Sequence, residues 1–121
     1  MARYTEIVAV DKSFPAAWTG AVTLLSAHPW RVVSVRDTTL FVRERLSLES
    51  MLSRNPCRFA VFIRPVESGG SELHIFGSTF GFGPIASGRI RKVTATLKEQ
   101  MLAAIARAEP PPELLSESES A

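Results

Sequence analysis

Cysteine, histidine and tyrosine are scarce in this sequence: Cys57 alone, His28 and His74, and one tyrosine in 121 residues. A single cysteine rules out a disulfide within the chain. One cysteine with two histidines is too small a set for the usual zinc sites, so no metal or cofactor is expected. No apolar run approaches the ~20 residues that span a bilayer. The opening Met-Ala-Arg-Tyr-Thr-Glu lacks the basic-then-apolar pattern of a signal peptide. These absences lead to the expectation of a cytoplasmic protein without a membrane span.

What is present is an ordinary globular mix, 45% hydrophobic and 21% charged. The length fits one domain, expected over residues 1–108. Those residues hold all 14 lysines and arginines and eight of the 12 acids, a net +6. Residues 109–121 hold the other four acids and no base, a net −4, and are rich in Pro, Ser and Glu. That composition reads as a disordered acidic tail on a basic body.

Period-2 and period-3.6 patterns alternate along the body. Residues 4–10 and 30–36 read as strands, with a helix between them starting near the N-cap Ser13 and carrying Phe14, Trp18, Ala21 and Leu25. Asp37-Thr38 turns the chain into a strand over 40–46. Residues 47–55 read as a short helix or a flap. In the strand 57–66, Phe59, Val61 and Ile63 alternate with Arg58, Phe62 and Arg64. The loop Glu67-Ser-Gly-Gly-Ser71 returns it into the strand 72–80, where Leu73, Ile75 and Gly77 alternate with His74, Phe76 and Ser78. A long helix over 85–108 carries Ile90, Val93, Leu97, Met101 and Ile105, and prolines 110–112 stop it. The fold class is α+β, β-α-β-β-β-β-α, an antiparallel sheet curved around a long C-terminal helix.

Three pieces resemble the helix-grip superfamily of START and Bet v1-like domains, which includes polyketide cyclases and lipid carriers. They are Val8 to Trp18 (VAVDKSFPAAW), Trp30-Arg-Val-Val33, and Gly83-Pro-Ile-Ala-Ser-Gly-Arg-Ile90 leading into the long helix. That family usually has more strands before its last helix. The same order is also similar to a TATA-binding-protein-like half and to small domains of outer-membrane assembly lipoproteins. The helix-grip resemblance implies an apolar pocket between sheet and helix.

No catalytic residue is identified. Gly81-Phe-Gly-Pro-Ile-Ala86 matches a dinucleotide fingerprint, but no strand follows its helix to complete a βαβ unit. Cys57 and His74 are the only thiol–imidazole pair, with nothing nearby to activate the thiol. Glu44 and Glu72 read as solvated strand residues. Arg89, Arg91, Lys92 and Lys98 cluster early in the long helix and are candidate contacts for an anion. Nucleic acid is not favoured, because no module signature is present.

The leading expectation is a non-enzymatic domain holding a small apolar ligand, its pocket lined by Trp18, Leu40, Val42, Phe59, Val61, Ile63, Leu73, Ile75, Val93, Leu97 and Met101. The alternative is a protein-interaction or homo-oligomeric module using the opposite sheet face around Phe41, Phe62 and Phe76.

Overall fold

The computed structural model describes residues 1–27, 29–44, 57–81 and 83–108. The expected helix or flap at 47–55, the acidic tail, His28 and Phe82 lie outside the described residues.

The elements follow the expected order: β1 (Ala2–Val10), α1 (Phe14–Leu25), β2 (Trp30–Arg36), β3 (Thr39–Glu44), β4 (Arg58–Pro65), β5 (Ser71–Thr79) and α2 (Gly83–Arg107). The five strands form one antiparallel sheet in the order β1-β5-β4-β3-β2. Two tight hairpins, β2–β3 and β4–β5, supply the local pairings. Asp37 takes φ 54° at the first turn, a region Asp tolerates better than most residues. β1 closes the sheet non-locally by pairing with β5 along its whole length. β2 carries a bulge between Val32 and Ser34.

Both helices lie on one face. The strand residues pointing there are the apolar half of each alternation: Leu40, Val42, Phe59, Val61, Ile63, Leu73 and Ile75, each at most 3% exposed. Burying one such side chain is worth about 1.5–3 kcal/mol, so this layer supplies most of the folding drive. α2 answers with Ile90, Thr94, Leu97, Met101 and Ile105, a spacing of four, three, four and four residues that tracks one helical face. Thr94 takes the buried place expected for Val93, which is half-buried.

α1 buries Ala21 and Leu25 as its sequence reading expects but not Phe14 and Trp18. Its buried stripe is Ala16, Ala17, Gly20, Ala21 and Leu25. Phe14 and Trp18 are half-buried and stack on each other with ring centroids 5.8 Å apart. Small residues win the inner positions because α1 packs closely on α2: a Cβ at Gly20 would stand 2.9 Å from the Ile105 Cα. Ser13 holds the N-cap position through its carbonyl, which accepts from Ala17 N–H at 2.9 Å; its side chain makes no capping bond.

No helix among the described residues is long and apolar enough to cross a membrane.

Candidate functional site

Neither helix covers the other face of the sheet. The residues pointing there are the second half of each alternation, and the strand register arranges them in rows. One row runs Arg31–Arg43–Arg58–Ser78–Arg3 across all five strands. The next, two residues along the strands, runs Ser34–Phe41–Ala60–Phe76–Thr5. A third holds Thr39, Phe62, His74 and Ile7.

The first two rows, apart from Arg31 and Ser34 on β2, line an open groove of about 540 Å³. Ala60 is its floor, because a methyl group there leaves space between the rings of Phe41 and Phe76. Arg3, Arg43, Arg58, Thr5, Ser78 and Val33 stand around it, Val42, Phe59 and Gly77 also line it, and among the described residues no carboxylate does. Phe41 is 38% and Phe76 45% exposed, unusually open for phenylalanine. Arg58 also lies over the Phe80 ring at 6.0 Å.

The cationic row is electrostatically unfavourable as it stands. Arg43 sits directly opposite both Arg31 and Arg58, and like charges in cross-strand register destabilise a sheet. The Nε of Arg43 is shut off from solvent and has no hydrogen-bond partner. Aromatic contacts order the third row, with Phe62 edge-on to His74 at 5.4 Å and His74 stacked on Phe76 at 6.2 Å. At its end Arg64 Nε donates to Glu72 at 3.0 Å, and the same carboxylate oxygen lies 2.6 Å from His74 Nε2. The bond from Arg64, then that from His74, holds the Glu72 carboxyl below its ordinary pKa.

The residues expected to line an apolar pocket all lie on the helix side. Nine of the eleven are at most 3% exposed and pack against one another, while Trp18 and Val93 are half-buried. Trp30, absent from that set, meets Phe59 edge-on at 5.7 Å and donates from Nε1 to Gln100 at 2.9 Å.

Of the four expected anion contacts on α2, Arg91 and Lys98 reach the same Tyr4–Glu6 pair, and the other two lie apart from it. Arg89 Nη2 donates to Glu44 at 2.8 Å and Nη1 to Cys57 Sγ at 2.6 Å. Arg91 lies over the Tyr4 ring at 5.4 Å. Lys98 reaches Glu6 at 3.4 Å, and Lys92 is exposed. Burial works to lower the Arg89 pKa, but Glu44 and the thiol outweigh it and the net shift is upward. Burial raises the pKa of Cys57, which keeps it a thiol. Cys57 and His74 lie on opposite sides of the sheet, so they form no dyad. The sequence reading picked out this face through Phe41, Phe62 and Phe76 but not the groove, whose signal is a coincidence of register, three arginines and two phenylalanines around one alanine on four strands. No single strand shows it.

No family model matches the chain, and neither does any curated protein sequence. Solved structures do resemble it. Protein MLL2253 from Mesorhizobium loti superimposes with a TM-score of 0.62 at 11% identity, over 88% of this chain and 98% of that one. The Aha1 dimer from Colwellia psychrerythraea gives 0.59 at 8% identity, over 87% and 96%. Ara h 8.0201 gives 0.51 at 12% identity, over 85% and 93%. At such identities the likeness establishes the fold alone, and that fold is the helix-grip arrangement expected from the sequence.

Proposed function

We propose that the chain is a non-enzymatic binding domain whose working surface is the open face of its sheet, where the groove over Ala60 receives an anionic partner. The cationic row carries this reading. Stability alone disfavours arginines in direct cross-strand register, and an anion between them converts the repulsion into charge-assisted hydrogen bonds. The same row argues against two copies stacking face to face, since that would oppose one set of arginines to another.

A second reading, the one the sequence leads to, places an apolar ligand between the sheet and α2. The Thr94 hydroxyl favours it, being buried in that layer with no partner. It requires closely packed side chains to part.

Native mass spectrometry of the chain purified from its own host separates the two. A ligand or partner retained by the wild type and lost from Arg43→Gln/Arg58→Gln supports the open face. Retention of an added mass by the double variant moves the site to the helix side, and no added mass in either sample removes the reading.

A further inference from the structure

The groove has the dimensions and chemistry to select its ligand. Phe41, Ala60 and Phe76 are in register on three neighbouring strands. Strands lie about 4.8 Å apart, so the two phenylalanines stand about 9.5 Å apart across Ala60. A flat ring midway would lie about 4.8 Å from each, within the range of aromatic stacking. The arginine row is two residues further along the strands, about 6.8 Å away. An anionic group attached to that ring by a short arm reaches the guanidinium groups of Arg43 and Arg58, both of which line the groove. The groove's volume, about 540 Å³, is in the ordinary size range for small-molecule sites.

We infer that the groove binds a small aromatic anion, its ring inserted between Phe41 and Phe76 over Ala60 and its carboxylate or phosphate held by Arg43 and Arg58. This rests on the open-face reading and names the ligand class for it. Each half of the ligand answers one row: the ring replaces solvent against two exposed phenylalanines, and the anion relieves the repulsion between the two arginines. An aliphatic anion would satisfy only the second row, and a neutral arene only the first.

The test is a set of amide-shift titrations of the full chain with defined probes. 2-Naphthoate is expected to shift the amides of residues 41–43, 58–60 and 76–78. Its saturated analogue, decalin-2-carboxylate, and its neutral analogue, 2-naphthamide, should each bind at least about tenfold more weakly, a difference of about 1.4 kcal/mol. Phe41→Leu/Phe76→Leu should erase the preference for naphthoate over the decalin acid. Arg43→Gln/Arg58→Gln should erase the preference over the amide. Circular dichroism melts confirm that both variants fold. Adenosine 5′-monophosphate is the phosphate arm: tighter binding than naphthoate assigns the anion as a phosphate, and weaker binding assigns it as a carboxylate.

Equal binding of the decalin acid overturns the inference but leaves the open-face reading standing. So does an affinity for single-stranded oligothymidylate that keeps rising with length, which would make the occupant a polynucleotide. Naphthoate shifts centred on Leu97 and Met101 would overturn both.

Discussion

The two faces of this sheet are built by the same strands, one residue apart, and obey different rules. On the helix side packing dominates: apolar side chains fill a closed layer edged by a few ion pairs, and a glycine makes room where α2 approaches β5 and α1. On the open side no element among the described residues packs down, so packing by those elements accounts for neither the phenylalanines nor the arginines. Selection for stability would place short polar or mixed-charge residues there. The residues actually there are costly in water, exposed rings and like charges in register, and their placement in adjacent rows is what directs attention to that face.

Neighbouring residues make the sharpest test of this contrast. Ile75 is fully buried under α2, and Phe76, the next residue, is 45% exposed over the groove. Ile75→Ala is expected to cost about 2–5 kcal/mol, since it leaves a cavity in a close-packed layer. Phe76→Ala removes the larger side chain yet should cost less than about 1 kcal/mol, because the ring already faces solvent and leaves no enclosed cavity behind. Urea unfolding of the two variants measures both. Comparable losses would break the distinction between a structural and a functional face.

Adding atoms should show the same asymmetry at a smaller scale. A Cβ at Gly77 would lie 2.7 Å from the Thr94 Oγ1 and 3.0 Å from the Ile90 Cδ1, so Gly77→Ala is expected to cost about 1–3 kcal/mol through overpacking. On the open face Ala60→Phe enters solvent-filled space and should leave stability within about 0.5 kcal/mol. It would nevertheless fill the groove and abolish binding there. If Ala60→Phe destabilises the fold instead, Ala60 is small for packing reasons and not to make a site.

The element order and the division of each strand into two faces were legible because both rest on local periodicity. Phe59, Val61 and Ile63 declare an inner face, and Arg58, Phe62 and Arg64 an outer one, without any knowledge of partners. Long-range pairing was not legible. Nothing local places β1 beside β5, and without that edge Arg3 and Thr5 cannot be assigned to the rim of a groove. The basic residues of α2 read as one patch because they are close in sequence. Their partners are distant in sequence: Glu44 on β3 draws Arg89 one way, and Tyr4 and Glu6 on β1 draw Arg91 and Lys98 another. The Trp18 stripe was misjudged for a related reason: a large aromatic scores as core by its hydrophobicity, but close contact between α1 and α2 reserves the inner positions for alanine and glycine.

The faintest difference between the faces should appear in their ion pairs. On the open face Arg64–Glu72 has side chains 53% and 27% exposed, and on the helix side Arg89–Glu44 has 14% and 19%. Solvent and salt screen the first pair more than the second. The Glu72 pKa is depressed in the folded state, so its contribution is fully present above the unfolded carboxylate value, about 4.3, and is lost as pH falls through the lower folded value. Wild type should therefore exceed Glu72→Gln in stability by a small margin above about pH 5, and the margin should close in more acidic solution. Raising the salt to about 0.5 M at neutral pH should shrink it as well, because the Debye length falls to a few ångströms. The corresponding margin for Glu44→Gln should survive that salt. Urea melts of both variants at low and high salt decide the matter, and equal salt sensitivity would mean that the two faces do not differ in their electrostatic exposure.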